Sequence, residues 1–194
     1  MIPEAENCSQ EIKDAKRVME NEAKAIHLCS QRLNEQIVDA LDILFSKDKE
    51  VIITGIGKSG HLAKKVAATL CSTGTPSAFM HPTEAIHGDL GIHQKNDPVI
   101  FLSNSGNTPE LIFLEPVLGN RGARIVGILG NKRGPLAEKV DCVLDASVTE
   151  EADPLGIVPT SSFMVSSAIC DAIASLLMNR RKFTENDYAQ THPG

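Results

Sequence analysis

Short apolar runs alternate with longer amphipathic stretches over most of the chain. Apolar residues recur at helical spacing over 59–72, from about Thr108 onward, around 136–140 and over 160–181. The continuously apolar runs between these stretches have the length of buried strands, and they lie at 51–57, 76–81, 97–103, 123–130 and 142–147. Such strands, separated by helices, are typical of a parallel sheet covered on both faces. We therefore predict a three-layer αβα sandwich with a five-stranded parallel sheet and right-handed crossovers.

The segment before the first strand has a different pattern. Neither glycine nor proline occurs from Glu4 to Thr54, and apolar residues such as Ile12, Met19 and Ile26 recur at helical spacing. This pattern predicts one long N-terminal helix, or a helix pair joined end to end, with a face that packs on a partner subunit. We divide a single domain of residues 1–194 into an N-terminal helical segment (1–48), an α/β core (49–181) and a polar C-terminal tail (182–194).

Composition and charge narrow the classes of function. The 194 residues are 42% hydrophobic, enough for one sizeable core, and the net charge of −6 gives no general attraction for nucleic acid or an anionic membrane. Five cysteines lie far apart without a C-x-x-C pair, which is typical of a reduced, cytoplasmic protein. The acidic N-terminus does not resemble a signal peptide, and no apolar run approaches the roughly 20 residues of a membrane span. We expect a cytoplasmic enzyme or binding domain.

One predicted strand runs directly into a loop of small polar residues, "SNSGNT" at 103–108. The carboxyl ends of parallel strands are where such sheets bind ligands, and the first-turn amides of the following helix favour an anion. Gly106 allows close approach of the backbone, while Ser103, Ser105 and Thr108 add hydroxyl donors. The pattern predicts a site for a phosphate ester. Simple N-capping by Asn107 or Thr108 is the structural alternative.

A glycine loop follows the first predicted strand. "GIGKSG" at 55–60 matches G-x-G-x-x-G, but the next strand ends in His81 rather than in the acidic residue of a dinucleotide site. It does not match a Walker A loop either. Three roles are open for Lys58 in this loop: it pairs with an anion, it polarises a sugar oxygen, or it is a solvated surface lysine.

The last long helix begins with "PTSS" at 159–162. Thr160, Ser161 and Ser162 form a second hydroxyl-rich helix start, whose side chains serve either as caps or as ligand contacts. Glu151 lies in the loop before it, also at the predicted ligand edge.

The segment "HPTEAIHGDLG" (81–91) brings two histidines to an irregular stretch. His81 and His87 are candidates for binding sugar hydroxyls, for acid catalysis or for a metal; we expect no required metal, with His81 as a contact for an adventitious, inhibitory zinc. Glu110 either complements a helix dipole or acts as a base beside a bound sugar. From its position in the tail alone, we interpret His192 as a terminal histidine without a functional role. We interpret the remaining histidines as structural: His27, His61 and His93.

Taken together, "GIGKSGHLAKKVAATLCSTGTPSAFMHPTEAIHGDLG", "SNSGNTPEL", "EEADPLGIVPTSS" and the terminal "HPG" resemble the sugar isomerase (SIS) domain. More closely, they are similar to the arabinose-5-phosphate isomerases, from about Ile12 to Gly194. The resemblance implies a flavodoxin-like fold and a homo-oligomer, a tetramer with active sites at subunit interfaces. Most relatives carry paired CBS modules after this domain. Because 194 residues leave no room for such a pair, we expect a form that lacks CBS modules. Thr83 stands where glycine is common.

The resemblance also implies a reaction and the residues for it. It implies aldose–ketose isomerisation between D-ribulose 5-phosphate and D-arabinose 5-phosphate through an enediolate, the first step toward the lipopolysaccharide sugar Kdo. The catalytic positions that it implies are Lys58, His87, Glu110, Glu151 and His192. The substrate and phosphate contacts that it implies are Gly57, Ser59, Gly74, Thr75, His81, Ser103, Asn104, Ser105, Gly106, Thr108, Thr160, Ser161 and Ser162.

We expect Glu110 to carry the proton between C1 and C2 and His192, from a neighbouring subunit, to serve the oxygens. His87 can share that role, and the sequence does not order acid and base. No cofactor is expected, and CMP-linked Kdo is a candidate feedback ligand at the phosphate site. The alternatives are isomerisation of a hexulose or sedoheptulose phosphate and a non-enzymatic sugar-phosphate-binding module. A nicotinamide or flavin enzyme is disfavoured by the missing acidic residue.

Overall fold

The computed structural model describes residues 4–46 and 48–193. Its helices are α1 (Glu4–Arg32), α2 (Gln36–Leu44), α3 (Lys58–Ser72), α4 (Pro82–Ala85), α5 (Pro109–Gly119), α6 (Ser161–Arg181) and α7 (Glu185–Thr191). Its strands are β1 (Val51–Thr54), β2 (Ser77–Phe79), β3 (Val99–Ser103), β4 (Ile125–Leu129) and β5 (Cys142–Asp145). Two short 3-10 turns lie at Asp89–Gly91 and Pro135–Glu138.

The strands form one parallel sheet in the order β2-β1-β3-β4-β5. β1, β3 and β4 are buried along their whole length, as continuous apolar runs require when helices cover both faces. The order reverses between β1 and β3, so the loops after these two strands open a crevice at the carboxyl edge of the sheet. The predicted three-layer fold with five parallel strands is confirmed.

Two separate hydrophobic clusters cover the faces of the sheet. One joins α1, α2, α3 and α6 to the sheet, with Leu44, Ala63, Leu70 and Leu177 at or near zero exposure. The other joins α4 and α5 to the opposite face through Met80, Leu111 and Leu114. α6 is long and apolar enough to cross a membrane by composition alone, but its apolar residues form part of the first cluster.

The N-terminal segment is a helix pair rather than one continuous helix, and residues 33–35 separate the two helices. Ile12 and Met19 on α1 are 52% and 70% exposed. Their helical spacing therefore does not reflect contact with the core of the same chain. The expectation that a partner subunit covers this face stays a prediction.

The C-terminal tail contains a helix that the apolar pattern did not predict. The Thr184 hydroxyl accepts from the Asp187 amide while the Asp187 carboxylate accepts from the Thr184 amide, which forms a capping box at the start of α7. The threonine and the acid three residues later are a readable helix-start signal, but α7 buries no residue. A method that relies on apolar periodicity therefore misses it.

Candidate functional site

The glycine loop after β1 leads tightly into α3. Gly57 has φ +59°, in the left-handed region, and a Cβ on Gly60 would lie 2.8 Å from the Gly55 carbonyl oxygen. α3 therefore begins at Lys58 with no side-chain cap and no acidic residue in its first turn. Its first amides and the Lys58 ammonium give this helix start a local positive potential.

The loop after β3 is held by its own side chains. The Ser103 hydroxyl pairs with that of Thr108 at 2.8 Å and accepts from the Gly106 amide at 3.1 Å. The backbone amide of Asn107 donates to the Ser105 hydroxyl at 3.1 Å. Thr108 occupies the N-cap position of α5 without capping it, so simple capping does not explain this polar loop.

Glu151 caps the start of α6. Its Oε2 accepts from the Thr160 amide at 2.9 Å, the Thr160 hydroxyl at 3.1 Å and the Ser162 amide at 3.1 Å. Burial raises the pKa of Glu151, but the hydrogen bonds from Ser162 and Thr160 together outweigh burial and lower the pKa. The carboxylate is therefore ionised and fixed, and it fills the anion position at this helix start.

The hydroxyls of the two serines of "PTSS" are buried, and the Ser162 hydroxyl contributes to the lowered pKa of Glu151. Ser161 and Ser162 are 1% and 2% exposed, and neither Oγ has a hydrogen-bond partner among the described residues. Buried hydroxyls without partners are costly, which indicates that a ligand or ordered water satisfies them.

Three loops converge on one cleft at the carboxyl edge of the sheet. The cleft has a volume of about 160 Å³. Its polar lining consists of Lys58 and Ser59 from α3, Asn104 from the loop after β3, and Ser162 and Ser166 from α6. Its apolar lining consists of Ile56, Leu62, Pro159 and Phe163. Ser166 was not predicted, although it lies four residues after Ser162 and so on the same side of α6.

A second cavity of about 240 Å³ adjoins the glycine loop at Gly57 and Gly60. Gly57, His61, Lys64 and His81 contribute to its lining. His81 Nδ1 is buried and has no hydrogen-bond partner within the described part of the chain. The interpretation of His61 as a structural residue missed this cavity, because α3 turns His61 away from the core.

Glu110 does not line the cleft that contains Lys58. It lines a third, mainly apolar cavity of about 370 Å³ with Pro82, Ile86 and Phe113. His87 follows Ile86 in an exposed turn and donates its amide to the Glu84 carbonyl. One chain therefore holds Lys58 and Glu110 in separate cavities at the same edge.

Three of the predicted site residues lie at the opposite, amino edge of the sheet. Thr75 is fully buried and its Oγ1 accepts from the guanidinium of Arg181 at 2.9 Å. Gly74 has φ +85° and packs against the Phe183 ring. His192 stacks on Tyr188 with ring centroids 3.9 Å apart. α3 separates this edge from Lys58 by about 22 Å, the length of its 15 residues at 1.5 Å per residue.

Within residues 4–46 and 48–193, no three histidine, cysteine, aspartate or glutamate side chains cluster in a way that could hold a metal ion. His81 therefore has no second and third ligand of this kind within the described chain.

Comparison with known proteins gives one matching family and several close relatives. The SIS domain matches residues 44–176. The arabinose 5-phosphate isomerase KdsD of Pseudomonas aeruginosa is 44% identical over 183 residues, which cover 94% of this chain and 56% of that protein. The arabinose 5-phosphate isomerase KpsF of Escherichia coli O6:H1 is 40% identical over 184 residues, again 94% of this chain and 56% of that protein. The chain thus spans about half the length of the curated relatives that it matches.

Among solved structures, a protein of Escherichia coli CFT073 in complex with A5P superimposes with a TM-score of 0.91 at 38% identity. The match covers 95% of this chain and 98% of that one.

Proposed function

Because this chain belongs to the SIS domain family, we propose that it is an aldose–ketose isomerase that interconverts D-ribulose 5-phosphate and D-arabinose 5-phosphate. The observation that supports this most strongly is the cleft where Lys58, Ser59, Asn104 and Ser162 converge from three loops. The activity named for the relatives at 40–44% identity supports the choice of sugar.

The phosphate binds at the uncapped start of α3. The first-turn amides of α3 donate to it, together with the hydroxyls of Ser59 and Ser162, which line the cleft. Ser105 is exposed in the loop after β3 but is not among the residues that line the cleft, so its contact with the phosphate stays a prediction. The Thr160 and Ser162 amides at the start of α6 do not take part, because they already donate to the Glu151 carboxylate. Glu151 acts as a positioning residue: it fixes the helix start that presents Ser161 and Ser162.

The reaction moves a proton between C1 and C2 of the acyclic sugar. The Glu110 carboxylate removes a proton from C1 of the ketose and returns it to C2, while a second group protonates O2 and removes the proton from O1. His192 is our choice for that second group, with His87 as its partner. The Lys58 ammonium stabilises the negative charge on the enediolate oxygens.

The site needs more than one copy of the chain. Lys58 and Glu110 line separate cavities, and His192 lies at the far edge of the same chain. We propose a homo-oligomer, a tetramer, in which a neighbouring chain supplies His192 at the interface. The exposed Ile12 and Met19 on α1 are candidates for part of the contact between copies.

In the cell, this reaction would be the first step toward Kdo and lipopolysaccharide, carried out in the cytoplasm without a cofactor. CMP-linked Kdo is the proposed feedback ligand, competing for the phosphate position. Isothermal titration of the protein with this nucleotide sugar should give saturable heat that excess arabinose 5-phosphate removes. Absence of heat at about 1 mM would remove this ligand from the proposal.

The experiment that tests the reaction is incubation with ribulose 5-phosphate in deuterated water. An enediolate mechanism with a carboxylate base puts solvent deuterium on C2 of the arabinose 5-phosphate formed, which NMR detects. Parallel incubations with hexulose and sedoheptulose phosphates test the specificity. Binding of these sugars without turnover of any of them would instead indicate a sugar-phosphate-binding module.

A further inference from the structure

The loop after β4, residues 130–134, supports the polar loop after β3 from behind. Two backbone hydrogen bonds join the segments that follow these strands. The Gly130 amide donates to the Ser103 carbonyl at 3.1 Å, and just beyond the loop the Leu136 amide donates to the Gly106 carbonyl at 3.0 Å. These bonds hold both the beginning and the middle of the loop after β3. The shape of that loop therefore depends on where the loop after β4 lies.

The two loops are packed with no space for a side chain between them. A Cβ on Gly130 would lie 2.5 Å from the Asn104 carbonyl oxygen, and a Cβ on Gly134 would lie 2.5 Å from the Gly106 carbonyl oxygen. Closely packed groups of this kind move together rather than independently. Because Asn104 lines the cleft, a shift of the loop after β4 displaces a cleft residue.

An ion pair anchors the loop after β4 to the end of β5. The Lys132 ammonium lies 2.8 Å from the Asp145 carboxylate, whose side chain is only 14% exposed. The Asp145 Oδ1 also accepts from the Ser147 amide at 3.0 Å. Burial raises the pKa of Asp145, but the hydrogen bonds from Lys132 and Ser147 together outweigh burial and lower the pKa. The carboxylate is therefore ionised and fixed.

The same carboxylate receives a second cation from the end of α1. Arg32 Nε lies 3.6 Å from Asp145 Oδ2, and Arg32 Nη2 donates to the Ser147 carbonyl at 2.6 Å. Asp145 thus joins the end of α1, the end of β5 and the loop after β4. The proposed isomerase reaction assigns no role to Arg32, Lys132 or Asp145.

We propose that Lys132 and Asp145 are positioning residues, which hold the loop after β3 in the shape that binds the sugar phosphate. Neither side chain lines the cleft, so both act through the packing of Gly130 and Gly134 rather than by touching the ligand. The nature of the ligand rests on the proposed isomerase function, whereas the support of one loop by the other is measurable without it.

Steady-state kinetics separates binding from chemistry. Lys132→Met should raise KM for ribulose 5-phosphate about fivefold, the upper range of what a partly exposed ion pair contributes. It should leave kcat within about 1.5-fold of wild type, because the proton-transfer groups stay in place. Lys132→Arg keeps the charge and should bring KM back to within about twofold of wild type.

Lys139→Met is the matched control. Lys139 forms a comparable ion pair with Glu115 at 3.5 Å, which joins α5 to the segment before β5. Its loss should cost a similar amount of stability but leave KM within about 1.5-fold of wild type.

A double-mutant cycle tests whether Lys132 and Asp145 act as one unit. Asp145→Asn should also raise KM. The double variant Lys132→Met with Asp145→Asn should raise KM about as much as the larger single effect, rather than by the product of the two.

Hydrogen exchange measures the support itself and needs no enzyme activity. The amides of residues 103–108 should exchange about fivefold faster in Lys132→Met than in wild type, and at the wild-type rate in Lys139→Met. If the wild-type chain does not convert ribulose 5-phosphate, the proposed function fails, while faster exchange in Lys132→Met still supports the positioning role.

Three outcomes would overturn the proposal. The first is unchanged exchange of residues 103–108 in Lys132→Met, whether or not the wild-type chain is active. The second is an active enzyme in which Lys132→Met leaves KM unchanged, or raises it no more than Lys139→Met does. The third is a cycle in which the effects of Lys132→Met and Asp145→Asn on KM multiply.

Discussion

At the residue scale, Glu151 joins stability to the geometry of the cleft. Its carboxylate accepts three hydrogen bonds at the start of α6, and Ser162 of the same helix start lines the cleft. Glu151→Gln should lower the free energy of unfolding at pH 7 by about 1 kcal/mol, as expected for the loss of a helix cap. It should also reduce kcat/KM, because the serine hydroxyls lose their fixed position. Urea unfolding and steady-state kinetics measure the two effects.

The pH dependence of this stabilisation follows from the lowered pKa of Glu151. A carboxylate with a lowered pKa in the folded state contributes stability above its unfolded pKa, here the ordinary value of 4.5, and loses it as the pH falls through the folded pKa. The difference in stability between wild type and Glu151→Gln should therefore be full at pH 7 and shrink below about pH 4.5. A difference that stays constant down to pH 3 would contradict the capping role.

His93 also makes the stability depend on pH, but here it is burial that favours the neutral form of the side chain. It is fully buried, with its ring hydrogen-bonded to the Asp97 carbonyl and to Arg121, and burial lowers its pKa below the ordinary 6.5. The unfolded chain therefore takes up a proton more readily than the folded chain, so stability should fall as the pH drops below about 6.5. His93→Gln should flatten the stability profile between pH 7 and pH 5. Denaturant unfolding across this range is the measurement, and parallel profiles would contradict it.

Individual side chains show where the sequence was a sufficient guide and where it was not. Helix starts and strand ends can be predicted from the sequence, and both lie at the carboxyl edge of a parallel sheet. The residues at these positions line one cleft: Lys58, Ser59, Asn104 and Ser162. The cap formed by Glu151 was not predicted, since nine residues separate it from Thr160 and only the folded loop brings them together. The same holds for Arg181 and Thr75, which are 106 residues apart.

At the scale of elements, the loop after β3 depends on one glycine. Gly106 has φ +64°, and a Cβ there would collide with the Asn131 backbone carbonyl. Gly106→Ala should therefore combine left-handed strain of about 1–2 kcal/mol with displacement of the loop. We expect a loss of affinity for the sugar phosphate together with lower stability.

Gly156→Ala provides a matched control for this prediction. Gly156 has φ +67° but open space around its Cβ position, so only the backbone strain applies there. Thermal unfolding should show the larger loss for Gly106→Ala, and only that variant should raise KM strongly. Equal losses of stability would indicate that close packing at Gly106 is unimportant.

Strands and helices differed in how well their patterns predicted them. All five strands lie within the predicted apolar runs, and each is two or three residues shorter than its run. The break between α1 and α2 carries no glycine or proline and was only one of two alternatives. α7 has no buried face, so only its capping box marks it.

At the scale of the whole molecule, the predicted site residues lie at two opposite edges of the sheet. The cleft with Lys58 lies at the carboxyl edge, while His192 lies at the amino edge beside α7. In the folded chain, α3 separates these two edges by about 22 Å. The homo-oligomer that we propose would bring the two parts together by contact between the carboxyl edge of one copy and the amino edge of another.

Mixing two inactive variants tests this central claim most directly. Lys58→Ala should lower the turnover of ribulose 5-phosphate by about 10²–10³-fold, as for the loss of a group that stabilises an oxyanion. His192→Asn should lower it by about 10²–10⁴-fold, as for the loss of a positioned acid or base. After the two are unfolded together and refolded in equal amounts, roughly a quarter of wild-type activity should return, because one of two sites in a mixed pair regains both residues. Mixed oligomers, verified by mass spectrometry, that remain inactive would contradict the account.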